Sequence, residues 1–201
     1  MTSPTAIRSE WDVAETTSAR IIRVATELFA EHGFHGTGIQ QISEASGLGR
    51  GALYHHIKSK DNLFYEVLRA PYEEVITEAC ALLEAGGTPE QKLRKLTRSH
   101  VRALIEKRAA WIVNAQDLDA LSDEHRAELT RLRHRYQNLW RDVFRECERS
   151  GSTNPIDDIQ LRGFLGMLSQ AFNWLDAKGP KSPEEIADIY LDLLRKGLEP
   201  R

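Results

Sequence analysis

The stretch Thr37–Lys60, TGIQQISEASGLGRGALYHHIKSK, constrains this chain more than any other. It reads as two short helices joined by a tight turn, with a third helix starting just after. Thr37-Gly38-Ile39-Gln40 has the form of a capping box, in which Thr37 caps a helix N-terminus and Gln40 reaches back to it. Ile39, Ile42 and Ala45 recur at helical spacing and make a short apolar stripe. Gly47 follows where a left-handed residue ends a helix, and Leu48 plugs the turn. A second helix, Arg50–Ile57, turns Leu53 and Ile57 inward. Its other face carries Arg50, Gly51, Ala52, Tyr54 and His55, short at the start and polar after. Such a face suits a helix laid in a DNA major groove.

Bulk charge does not announce a nucleic-acid binder. The 201 residues hold 27 Lys/Arg against 30 Asp/Glu, a formal net charge of −3. Over residues 1–70 seven Lys/Arg stand against eight Asp/Glu. Any affinity for DNA must therefore come from the placement of a few cations. Cys80 and Cys147 lie far apart with no paired spacing, as expected of buried thiols in a reducing cytosol. The first residues lack the apolar core of a secretory leader, and no run reaches membrane-spanning length. The expectation is a soluble, cytoplasmic protein with no membrane partner.

The rest of the chain is helical throughout. Residues 1–15 have no period and read as a flexible arm. A first helix spans about Thr17 to His32 with a stripe of Ile21, Ile22, Ala25, Leu28 and Phe29, stopped by Gly33. Ser59 and Asp61 open a helix after the motif. Pro71 falls inside it, where a kink or break would mark a joint. Further helices run from Thr88-Pro89 to about Arg108, from about Ala109 to Leu121, and from Ser122 to Arg149. Two more start at Asn154-Pro155 and at Ser182-Pro183, ending near Ala177 and Leu198. No segment alternates with period two. The fold class is all-α, about nine helices. An N-terminal three-helix domain at 16–70 carries the helix-turn-helix, and a C-terminal helical domain fills 71–201.

Residues 17–70 resemble the N-terminal domain of the TetR family of bacterial regulators. The likeness rests on features at fixed offsets in ATELFAEHGFHGTGIQQISEASGLGRGALYHHIKSKDNL. Leu28-Phe29-Ala30-Glu31 precedes Gly33-Phe34, Thr37 leads Ile42 and Ala45, Gly47 makes the turn, and Gly51-x-Leu53-Tyr54-x-His56 precedes Ser59-Lys60. Gly49 and Ile57 depart from the family, which often has Ser or Thr and usually Phe there. The resemblance implies a homodimer that binds operator DNA, mostly as a repressor, and leaves it when a small-molecule effector binds the second domain. It implies phosphate contacts at Thr37, Tyr54, His55 and Lys60, and base-edge contact around Arg50, Gly51 and Ala52. The segments YQNLWRDVFRECERSG and FNWLDAKGP carry a looser likeness to regulators of fatty-acid or steroid breakdown that sense acyl-CoA thioesters.

In the second domain, Trp111, Trp140, Phe144, Phe172 and Trp174 fall on three predicted helices. They form either core or the wall of an apolar pocket, the usual ligand place in a helical domain. Asn114, Gln116, His100 and Arg133 are candidate groups to orient a ligand, against the alternative that each faces solvent. The ligand set read here is Trp111, Asn114, Arg133, Trp140, Phe144 and Phe172. The last two helices carry stripes wider than one core face needs, among them Phe164, Leu168, Leu175, Ile186, Ile189 and Leu193. A two-fold helical interface would absorb the excess. Gly47-Leu48-Gly49-Arg50-Gly51 lacks the strand and spacing of a nucleotide loop. No metal-ligand spacing, catalytic arrangement or cofactor motif stands out, so no enzyme is expected. The rival reading is a helical small-molecule carrier or enzyme whose helix-turn-helix is only scaffold. It predicts no salt-sensitive DNA binding, whereas phosphate contacts require it.

Overall fold

The computed structural model describes residues 16–115, 118–175 and 179–198. The expected arm at 1–15 and the candidate Gln116 lie outside the described residues. Among the described residues, nine α-helices and one 3-10 turn follow one another: α1 (Thr17–Gly36), α2 (Ile39–Ala45), α3 (Arg50–His56), α4 (Lys60–Glu84), α5 (Pro89–Glu106), α6 (Arg108–Asn114), α7 (Asp123–Arg149), α8 (Asp158–Ser169), the 3-10 turn Gln170–Asn173, and α9 (Pro183–Leu198). No strand occurs among them. The all-α expectation holds.

Side-chain caps set most of the helix starts. Thr16 Oγ1 accepts from Ala19 N, Ser59 Oγ from Asn62 N and Ser122 Oγ from His125 N. Thr88 and Gln91 complete a capping box. Several boundaries differ from the sequence reading; α8, expected to reach about Ala177, gives way to the 3-10 turn after Ser169. Asn154-Pro155 does not start α8; Asp157 does, with Gln160 closing its box. Pro155 disfavours helical backbone at the residue before it, and residues 154–157 are not helical. Helix α6 ends at Asn114, well short of Leu121. At α2 the N-cap is Gly38, whose N–H donates to Gln41 Oε1 at 2.6 Å. Thr37 instead closes the end of α1, donating to the carbonyls of Leu28 and Gly33.

Two apolar cores hold these helices. One gathers Ile21, Ala25, Phe29, Ile42, Leu53, Ile57, Leu63, Phe64 and Leu68 from α1 to α4 and includes Val113, Leu121 and Leu129. The other lies among α4, α5, α7, α8 and α9, with Trp140, Phe144 and Leu168 at its centre. Helix α4 runs through both. Pro71 does not break it. Proline's fixed φ is helical and its absence of N–H removes one bond, to the Val67 carbonyl. Leu63, Phe64 and Val67 are buried before it, and Val75, Ile76 and Ala79 after it. Packing at both ends keeps the helix continuous.

Candidate nucleic-acid interface and ligand pocket

The turn between α2 and α3 is held from within. Gly47 adopts φ 69°, a conformation that side chains with Cβ rarely take. Gly47 N donates to Glu44 O and Leu48 N to Ser43 O, while the Ser43 hydroxyl donates to the Leu48 carbonyl at 2.6 Å. This fixes the angle at which α3 leaves α2. Leu53 and Ile57 then face the core, as the spacing predicted. Ala45 does not; it is exposed.

With Leu53 turned in, Arg50, Gly51, Ala52, Tyr54 and His55 all face solvent. Tyr54 is 50% exposed, unusual for a large aromatic in so small a domain. A Cβ added at Gly51 would meet nothing within 4 Å, so its small size serves no internal contact. Lys60 is half-buried, its Nζ 4.2 Å from the centre of the Phe34 ring, and burial lowers its pKa. Thr37 is the exception among the proposed contacts. It is only 1% exposed and its hydroxyl points into the chain, so it offers an outside partner little beyond backbone. Lys58, which the sequence reading passed over, is exposed just after the end of α3. Its one sequence signal is a cation flanking the motif.

In the second core a cavity of about 90 Å3 is lined by Tyr72, His100, Trp111, Arg133, Tyr136, Gln137, Leu165 and Ser169. Of the predicted ligand residues it collects Trp111 and Arg133. His100 lies beside them, with Nδ1 3.0 Å from Tyr136 Oη and Nε2 3.5 Å from Ser169 Oγ. Burial pushes the His100 pKa down to about 4, so the ring is neutral near pH 7. Burial also raises the pKa values of Tyr72 and Tyr136. The Arg133 guanidinium stands 5.7 Å from the centre of the Tyr72 ring, and its Nη2 donates to Asn114 O at 3.3 Å. Asn114 itself is buried and spends its amide on the carbonyls of Leu68 and Ala110.

Trp140, Phe144 and Phe172 do not line this cavity. Trp140 stands edge-on behind His100 and Tyr136, and Phe144 packs edge-on against Phe164. Phe172 is buried in the 3-10 turn, where its carbonyl accepts from Arg108 Nε at 2.8 Å. All three are core. Tyr72, Tyr136 and Gln137 were missed; the one clue was that Tyr136 precedes Trp140 by one helical turn.

The ends of the two units meet at a clasp. Asp61, in the first turn of α4, accepts from His125 Nδ1 at 2.9 Å and from Ser122 N at 3.3 Å. The His125 ring also stacks on Tyr65, 4.2 Å between centres and 7° from parallel. The start of α7 is thereby pinned beside Lys60.

Two family models match. "Bacterial regulatory proteins, tetR family" covers residues 21–67, and "Tetracyclin repressor-like, C-terminal domain" covers residues 86–198. The chain belongs to the TetR family. It is a DNA-binding transcriptional regulator, and the reading of the helix-turn-helix as mere scaffold falls with that. Among curated relatives, the HTH-type transcriptional repressor KstR2 of Mycolicibacterium smegmatis is 26% identical over 181 residues, 89% of this chain and 88% of that protein. Among solved structures, the TetR-family regulator PfmR from Thermus thermophilus is 31% identical with TM-score 0.81, covering 90% of this chain and 100% of that one. A structure of AibR in complex with isovaleryl coenzyme A and operator DNA has TM-score 0.77 at 23% identity, covering 89% and 97%. No helix among the described residues is long and apolar enough to cross a membrane.

In this TetR-family chain, part of the predicted dimer stripe turns inward. Phe164, Leu168 and Leu175 are buried in the chain's own second core, and Ile186 packs against it. Phe164 and Leu168, one helical turn apart, share the core-facing side of α8. The exposed side carries Ile159 at 81%, Met167 at 40% and, beyond the 3-10 turn, Trp174 at 61%. Gly163 and Gly166 lie between them, each with open space where a Cβ would stand. On α9, Ile189 and Leu193 are exposed as expected.

Proposed function

We propose that this regulator is a cytoplasmic repressor that binds a pseudo-palindromic operator as a homodimer and is released by a small-molecule effector. One observation carries the DNA half: α3 buries Leu53 and exposes Arg50, Gly51, Ala52, Tyr54 and His55 on a single outer face. Arg50 has the fork to reach a guanine edge. Gly51 and Ala52 let the backbone approach the groove floor. Tyr54, His55 and Lys60 contact phosphates, with Thr37 contributing through its backbone. Residues 16–70 form the reading unit and 71–201 the unit that binds effector and partner.

The dimer face is the outer side of α8 with α9, built on Ile159, Met167, Trp174, Ile189 and Leu193. Single exposed apolar residues need no explanation, but a row of them on adjoining helices does. Gly163 and Gly166 allow a partner helix to come close. A two-fold axis there sets the two α3 helices about one DNA turn, roughly 34 Å, apart.

The effector enters the cavity of α4, α5, α6 and α7. Its class is an acyl-CoA or another metabolite with an apolar body, in line with the isovaleryl coenzyme A held by AibR, a protein of the same fold. Tyr72 lines the cavity from α4, and Lys60 stands twelve residues earlier on the same helix, about 18 Å away. An effector that prefers one tilt of α4 changes the spacing of the reading helices. That difference in affinity is the whole of the coupling.

The test uses an operator selected from genomic fragments by the protein itself. Arg50→Ala and Tyr54→Ala are each expected to weaken operator binding by about 10-fold or more, with the fold unchanged by circular dichroism. Full operator affinity in both variants would mean that DNA is read by another face.

A further inference from the structure

Arg133, on the wall of the cavity, differs from several other arginines of the chain. Several half-exposed arginines are matched to carboxylates: Arg69 to Glu66 and Glu73, Arg98 to Asp188, Arg102 to Glu184. Arg133 is as sheltered as these, yet no carboxylate pairs with it among the described residues. Its neighbours are neutral: the Asn114 carbonyl, 3.3 Å from Nη2, and the Tyr72 hydroxyl. Its Nε is buried without a partner. A sheltered guanidinium without counter-charge is destabilising, and the fork of N–H groups is suited to a planar oxyanion.

The surroundings fit the same occupant. The lining contains no Asp or Glu, so Arg133 is its sole fixed charge. His100 stays neutral and is tied to Tyr136, so it adds polarity without a second cation. Gln137 and the Tyr72 hydroxyl supply further donors, and Trp111 and Leu165 supply an apolar wall. At about 90 Å3 the space is well below the 300–1,000 Å3 usual for a whole ligand, and suits a head group with a few carbons.

We propose that Arg133 anchors an oxyanion of the effector in this cavity. The effector is thus an acid or acid derivative, not a neutral hydrocarbon-like compound. The inference rests on the cavity being the effector site. A free carboxylate and the phosphates of a coenzyme A thioester both supply the oxyanion, and the experiment separates them.

Acetate, butyrate, hexanoate and benzoate, their methyl esters and their coenzyme A thioesters are titrated into DNA-free protein by calorimetry. Acids or thioesters bind and methyl esters do not; binding of the acids identifies a carboxylate, and binding of thioesters alone identifies phosphate. Arg133→Gln weakens the binding probe about 10- to 100-fold, and Arg133→Lys recovers part of it. If Arg133→Gln does not fold, the acid-to-ester ratio in wild type and Arg133→Lys decides. Methyl esters binding as well as acids, no oxyanion probe binding at all, or an Arg133→Gln protein within about 2-fold of wild type would overturn the anchor. Operator release is read separately by anisotropy. An oxyanion that binds through Arg133 without releasing operator refutes the effector role of the cavity and leaves the anchor standing. Release by a neutral ligand whose binding ignores Arg133 does the reverse.

Discussion

His100 is shut in by Trp111, Tyr136 and Trp140, and this makes stability depend on pH. Its pKa falls from 6.5 to about 4 because burial disfavours the charged ring. Below the unfolded value the unfolded chain binds a proton that the folded chain refuses. Stability is therefore fully present above about pH 6.5 and is lost as pH falls towards 4, by at most about 1.4 kcal/mol per pH unit. Chemical denaturation across that range is expected to show the slope in wild type and a flatter profile in His100→Gln; parallel profiles would mean that the ring is solvated. Residue types around this site were legible, but their destinations were not. Trp140 and Phe144 share the helical spacing of pocket and core alike, and only the packing of Phe164 against both assigns them to core. Thr37 and Gly38 are equally ambiguous in sequence, since either can precede a helix. Thr37 is taken by the open carbonyls of α1.

Among the helices, the most telling contact joins two distant in sequence. His125 at the start of α7 holds Asp61 at the start of α4. His125→Ala removes a charge-assisted bond and a stacked ring from a half-buried place. The expected loss is about 1–2 kcal/mol, with faster amide exchange confined to residues 60–65 and the first turn of α7. Unchanged exchange at α4's first turn, measured by mass spectrometry, would show that the clasp bears no load. No sequence pattern foretells this pair, because neither spacing nor charge links positions 61 and 125. The helices themselves were legible wherever a capping side chain meets a periodic stripe, as at Ser59, Thr88 and Ser122. Legibility failed where local and tertiary preferences disagree. Pro71 forecasts a joint, and burial on both sides of it overrides that forecast.

At the scale of the whole molecule, the apolar row on α8 and α9 has to meet something. On the proposed dimer face, Met167→Glu would put a carboxylate from each copy into the apolar interface. Light scattering is expected to report a monomer, and operator affinity to fall by at least ~100-fold as the second half-site contact is lost. A variant that stays dimeric would move the interface elsewhere. The inward turn of Phe164 and Leu168 could not be read from their period, because both sides of α8 are apolar and the core claims one of them. The reading face has its own consequence for life in a crowded genome. Among the described residues the cations of the proposed face are Arg50 and a Lys60 half-occupied by Phe34, with Lys58 nearby in sequence, within a unit of balanced charge. On the proposed contacts, few neutralised phosphates mean few released counterions, so binding to arbitrary DNA is expected to be weak. Little of the protein would then be held on the wrong sequences, and a small number of copies would be enough to find and fill a single operator.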